Sequence, residues 1–195
     1  MTILPAKPND AEKIAAIHYD NFKNAFLCDL GLSFLRLLYR WILTFNKGFG
    51  YIIKDEDNIF GFVTGVYDSS NLISLFIKKN FFKVLSILIL NFIKKPNNIK
   101  KVFETIIYSK KSGIDIKAEL LSIAIENKYR GKGYSDSLFS HFIEHLKPEK
   151  INIFKITVDK DNLAANKFYY KCGCEFVKSY KMYGKISSIY KYKIK

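Results

Sequence analysis

The stretch Tyr129-Arg130-Gly131-Lys132-Gly133-Tyr134-Ser135 constrains this chain most, because it joins a strand-like run to a helical run through two glycines and two cations. Upstream, Glu119 to Ile125 (E-L-L-S-I-A-I) predicts a strand, and Glu126-Asn127-Lys128 breaks the apolar pattern as a strand exit does. Downstream, Tyr134, Leu138, Phe139, Phe142, Ile143 and Leu146 recur at helical spacing, so Tyr134 to Lys147 predicts an amphipathic helix stopped at Pro148. The glycines therefore stand at a helix start. There the first N–H groups have no partner within the helix and the dipole presents its positive end, which makes the place an anion site. Gly131 and Gly133 let the backbone approach a diphosphate, Arg130 and Lys132 add charge, and the Ser135 hydroxyl can cap the helix or touch a phosphate.

The rest of the chain reads as one domain of α+β order over 1–195. Strand 2–6, helix 9–26, helix 31–45 and strands 49–54 and 59–67 come first, the two strands joined by a turn at Asp55-Glu56-Asp57-Asn58. Asn9 with Glu12 fits a capping box at the first helix. Strand 115–125, helix 134–147, strand 151–158, helix 161–171 and strands 175–182 and 186–194 follow. The βαβ step from 115 to 158 requires a local parallel pairing whereas the hairpins are antiparallel, which predicts a mixed, twisted sheet with helices on its faces. Between the third and fourth strands, residues 69–113 are too long and apolar for a plain connection. They predict a helix over Leu72 to Ile93, a break at Lys95-Pro96-Asn97-Asn98 and a second helix near Ile99 to Tyr108. The run Phe81 to Leu90 is short of the roughly 20 apolar residues of a membrane span and is interrupted by Lys83, so no stable membrane insertion is expected. An interfacial helix flanked by Lys78, Lys79, Lys83, Lys94 and Lys95 is the alternative. The preferred reading is a lid on the acceptor side, its apolar face buried by its own domain or by a second subunit in a homodimer.

Arg130, Gly133 and Ser135 resemble the pyrophosphate loop of the GNAT superfamily of N-acetyltransferases, in which Arg or Gln is followed by two residues, Gly, one residue, then Gly or Ala. Ser135 departs from the last place. The segment Asn162 to Cys174, N-L-A-A-N-K-F-Y-Y-K-C-G-C, resembles the superfamily's later signature of Asn, Ala, an apolar-Tyr pair and a terminal Gly. The resemblance implies the same mixed, mostly antiparallel sheet with helices on both faces, acetyl coenzyme A as cosubstrate, and attack by an amine without metal or covalent enzyme intermediate.

Acetyl transfer to an amine requires removal of a proton from the amine, stabilisation of an oxyanion and protonation of the departing thiolate. The resemblance places these roles on this chain. Glu119 opens the central strand, where many members keep a carboxylate that accepts the amine proton; its bland reading is an exposed strand-end acid. Tyr169 matches the Tyr that serves the coenzyme A sulfur, against core packing beside Phe168 and Tyr170. A backbone N–H near Ile123 to Ile125 would bind the thioester oxygen, and Asn162 would contact coenzyme A. A lid favours a small amine such as an amino sugar, polyamine or amino acid. A protein N-terminus or Lys is the alternative acceptor, and a coenzyme A-binding module without turnover is the alternative outside catalysis.

The net charge of +14 raises nucleic acid as a partner. However, the excess is almost all Lys, with Arg only at 36, 40 and 130, whereas base and bidentate phosphate recognition favour Arg. No nucleic-acid partner is expected. Cys28, Cys172 and Cys174 lack a framework spacing and read as reduced packing residues. With no signal-peptide pattern, the expected compartment is the cytoplasm. His141-Phe142-Ile143-Glu144-His145 matches the H-x-x-E-H zinc motif, but with no obvious third ligand it reads as a solvated polar face and no metal is expected. His18 reads as a surface or packing residue rather than a base.

Overall fold

A computed structural model describes residues 1–23, 25–94, 114–182 and 184–195. Its strands are β1 (Thr2–Pro5), β2 (Gly48–Asp55), β3 (Asn58–Val66), β4 (Glu119–Ile125), β5 (Ile153–Asp159), β6 (Glu175–Met182) and β7 (Lys185–Lys193). They form a seven-stranded sheet in the order β1-β2-β3-β4-β5-β7-β6. Its helices are α1 (Ala11–Asn21), α2 (Phe26–Asp29), α3 (Leu32–Thr44), α4 (Leu72–Lys79), α5 (Phe81–Lys94), α6 (Tyr134–Leu146) and α7 (Leu163–Lys171), with short 3-10 turns at Pro8–Asp10 and Asn127–Tyr129. Among the described residues only β4 and β5 pair in parallel; the other neighbours are antiparallel.

Alternation along each strand sends successive side chains to opposite faces, and each face finds its own helices. Ile52, Phe62, Val66 and Ala124 join a core with α1 and α3, through Ile14, Ile17, Leu35, Leu38 and Ile42. Ile53, Val63, Leu120, Ile125, Phe154 and Ile156 join a second core with Leu138, Phe139, Phe142 and Leu146 of α6. This places α1 and α3 on one face and α6 on the other.

Three local expectations are corrected. The predicted helix 9–26 divides into α1 and the one-turn α2, because the first helix ends at Phe22 in a non-helical backbone conformation. The Asn9–Glu12 capping box is absent: Asp10 accepts from the Lys7 N–H at 2.7 Å, and Glu12 pairs instead with Arg36 of α3 at 2.7 Å. The single helix expected over 72–93 is two, divided at Asn80, whose backbone and side-chain N–H groups both donate to the Phe76 carbonyl and end α4. The second insertion helix, near Ile99 to Tyr108, lies outside the described residues. Helices α4 and α5 pack on the α3 face, through Phe76 and Val84, and not beside Arg130. The Phe81–Leu90 face is only partly buried: Val84 is inside, whereas Phe81, Phe82, Leu85 and Ile89 are exposed.

Candidate active site

Strand β4 carries a bulge. Ser122 sits opposite Thr64 and Leu120 opposite Gly65, so Leu121 is the extra residue and the face pattern reverses across it. Leu121 and Ala124 therefore join the α1/α3 core, while Leu120, Ile123 and Ile125 join the α6 core. Beyond the bulge β4 also leaves β5, whose ladder with it is confined to Glu119 opposite Lys155 and Leu120 opposite Ile156. From Leu121 onward the two strands have no mutual register among the described residues, and the sheet opens as a wedge between β4 and β5. Ile123 and Ile125 lie along this opened strand, paired on their other side with Val63 and Gly61.

At the loop after β4, Gly131 and Gly133 hold φ values of +76° and +78°, a conformation that favours glycine. An added Cβ at either position meets nothing within 4 Å, so the backbone of the loop is open to approach. Gly133 is the N-cap of α6, whose first N–H groups point from this end. Lys132 and Lys128 lie over the Tyr129 ring, at 5.9 and 5.0 Å from its centroid. Tyr134 turns inward, its ring 5.2 Å from that of Phe60, and Ser135 is half-buried on the first turn. Arg130 ties the loop to its surroundings: its Nε donates to the Ile125 carbonyl at 3.3 Å and its Nη2 to Asn21 Oδ1 of α1.

Glu119 is held by two residues of β5 that the sequence reading did not single out. Thr157 Oγ1 donates to Glu119 Oε1 at 3.2 Å, and Lys155 Nζ lies 3.7 Å from Oε2. The side chains of Lys155 and Glu119 are 10% and 17% exposed, so this is a shielded pair at the apex of the wedge. The alternation F-K-I-T-V along Phe154 to Val158 puts Lys155 and Thr157 on one face, but their match to Glu119 depends on the parallel register, which no local signal gives.

Tyr169 is buried in α7 among Phe139, Phe168 and Tyr190, and this burial, with Cys174 and Cys172 nearby, raises the pKa of its hydroxyl. Asn162 caps α7 by accepting the Ala165 N–H at 3.1 Å. Asn166, also unremarked in the sequence, donates to the carbonyls of Asp159 and Asn162 and accepts from the Tyr190 hydroxyl at 2.8 Å, which fixes α7 to the end of β5.

His145 departs from expectation, whereas His18 packs in the core. His145 does not lie on a solvated face: it stacks on Phe49 at 4.0 Å, with Tyr51 on Nδ1 at 3.0 Å and Tyr67 on Nε2 at 2.7 Å. The reason is its position three residues after Phe142, which keeps it beside the buried stripe of α6. Among the described residues no group of His, Cys, Asp and Glu could hold a metal ion. His18 is buried, with Nδ1 2.5 Å from the Tyr39 hydroxyl. Burial lowers the His18 pKa from 6.5 to about 4, so the unfolded chain takes up this proton first as pH falls. Stability is expected to decline as pH drops from 6.5 through about 4, by about 3 kcal/mol in all from this group, and His18→Gln should flatten that part of a urea-denaturation series. An unchanged slope in the variant would remove His18 as the cause.

Residues 97–174 match the acetyltransferase (GNAT) family. This stretch of the chain is similar to GNAT acetyltransferases. Solved structures agree over almost the whole length. An N-acetyltransferase from Staphylococcus aureus Mu50 superposes with a TM-score of 0.67 at 18% identity, covering 98% of this chain and 100% of that one. Ribosomal-protein-alanine N-acetyltransferase from Brucella melitensis gives 0.65 at 14% identity, covering 99% of each chain. Arabidopsis thaliana NAA60 in complex with acetyl-CoA gives 0.61 at 15%, covering 99% and 98%. No curated protein matches the sequence. The chain thus has the mixed, mostly antiparallel sheet that the resemblance implies, with the glycine loop at the start of α6 and the wedge beside it. No helix among the described residues is long and apolar enough to cross a membrane.

Proposed function

We propose that this chain transfers an acetyl group from acetyl coenzyme A to a primary amine of a small molecule. The loop supports the donor: the open space over Gly131 and Gly133 leaves room for a diphosphate against the first N–H groups of α6, with Lys132 adjacent. Arg130 acts chiefly by holding that loop against α1 and β4. The opened edge of β4 at Ile123 to Ile125 offers backbone groups to the pantetheine amides and the thioester oxygen. Asn162 would sit at the mouth of the α7 side. Acetyl coenzyme A supplies an activated acyl group on a thiolate leaving group.

Glu119 would accept the proton of the amine. Thr157 and Lys155 fix the carboxylate, each engaging one oxygen, so that a remaining lone pair can take the proton directly or through water. Tyr169 would give a hydrogen bond or proton to the sulfur as charge develops there. The observation that carries the choice of acceptor is the shielding of Glu119 and Lys155, since a compact amine reaches so enclosed a carboxylate more readily than a peptide does. A protein N-terminus is the second reading, favoured by what the Brucella neighbour is named for.

A thiol-release assay across amino sugars, polyamines, amino acids and peptides tests this. Turnover confined to peptides would overturn the small-molecule reading, and an unmoved melting curve at saturating acetyl coenzyme A would overturn the donor. Tyr169→Phe is expected to lower kcat by roughly tenfold or more with little change in donor affinity. Glu119→Gln should lower the rate most at neutral pH and recover partly at higher pH, where more of the amine is already deprotonated. Unchanged turnover in both variants would leave positioning as the mechanism.

A further inference from the structure

Helix α5 is apolar around most of its circumference. Its inner side packs Val84, Ile87 and Leu88 into the α3 core. The opposite side carries Phe82, Leu85 and Ile89 at i, i+3 and i+7, with Phe81 beside them and Leu75 of α4 also in water. Phe82 is 83% exposed and Ile89 51%. A helix with one apolar side toward its own core and another toward solvent requires a second apolar medium.

Charge identifies that medium. From Ser69 to Phe103 the sequence has no Asp or Glu, while Lys stands at 78, 79, 83, 94, 95, 100 and 101. Lys78, Lys79 and Lys83 are exposed and flank the Phe81-Phe82 pair in sequence, where α4 gives way to α5. A second copy of the chain would bring an identical cationic surface onto this one, each copy carrying a net charge of +14, so like charges oppose self-association. An anionic lipid surface satisfies both features, taking Phe81, Phe82, Leu85 and Ile89 into the acyl boundary and the lysines at the headgroups. We infer that the α4–α5 face docks this chain peripherally on anionic membranes, with α5 lying in the interface rather than crossing it.

The test uses the full chain and two sets of vesicles, one of phosphatidylcholine alone and one in which a quarter of the lipid is phosphatidylglycerol. Co-sedimentation is expected with the anionic vesicles at low salt and much less with neutral vesicles or at high salt. The double variants Phe82→Asp/Ile89→Asp and Lys78→Glu/Lys79→Glu should each weaken binding roughly tenfold or more. Because these side chains are exposed, the melting temperature should stay unchanged. Absence of binding to the anionic vesicles would overturn the inference. So would a dimer in solution that Phe82→Asp/Ile89→Asp makes monomeric, since a second copy would then be the partner.

Discussion

Gly133→Val is expected to abolish the thermal stabilisation that acetyl coenzyme A gives the native chain. Two effects act in the same direction. At φ +78° a β-branched residue is strained by about 1–2 kcal/mol, which draws the loop out of its left-handed conformation. The side chain also enters the space that the glycine leaves open, where an added Cβ meets no protein atom within 4 Å. Losing two charge-assisted contacts from the helix start, at roughly 1.5–3 kcal/mol each, implies at least about a hundredfold weaker donor binding. The fold itself should survive, because nothing in the core touches this position. Differential scanning fluorimetry with and without acetyl coenzyme A separates these outcomes: a retained ligand shift in a folded variant would show that the loop is not the phosphate cradle.

Phe142→Ala should be the most damaging single truncation in the core. Phe142 is fully buried, stacks on Phe49 at 5.1 Å and meets Phe154 edge-on at 5.0 Å, tying α6 to β2 and β5 together. Truncations of this kind cost about 3–5 kcal/mol, and for a domain of this size each kcal/mol lowers Tm by roughly 2–4 °C. Phe142 also occupies the space over Gly65, whose added Cβ would lie 2.3 Å from its ring. Gly65→Ala should therefore be severe alone and milder in the Phe142→Ala background, although the Glu119 carbonyl at 2.9 Å prevents full relief. Strict additivity of the two losses would show that the ring is not what excludes a side chain there.

The strand–loop–helix from β4 to α6 is legible in the sequence because each part has a local cause: a β-prone run, two glycines, then an apolar stripe at helical period. The same is true of Asn162, which caps α7 through its own side chain. His145 was misplaced although its signal was present, since three residues separate it from Phe142 and that spacing puts both on one side of α6. Asn80 shows the converse. Its apolar flanks predicted one continuous helix, and only the return of its side chain and N–H to the Phe76 carbonyl divides it.

The sequence by itself determined most of the elements, the two-faced sheet and the place of the glycine loop, because periodicity, capping and glycine conformations act over a few residues. Tertiary structure alone decided what meets at the apex of the wedge. Glu119 is 38 residues from its Thr157 partner, and Arg130 is 109 from Asn21. The bulge at Leu121 sets which side chains of β4 face α1 and α3, and the parallel register of β4 with β5 sets which cation and hydroxyl hold the carboxylate. Register is a property of the assembled sheet, fixed by which faces bury together, and a strand shifted by one residue would present every side chain to the opposite core.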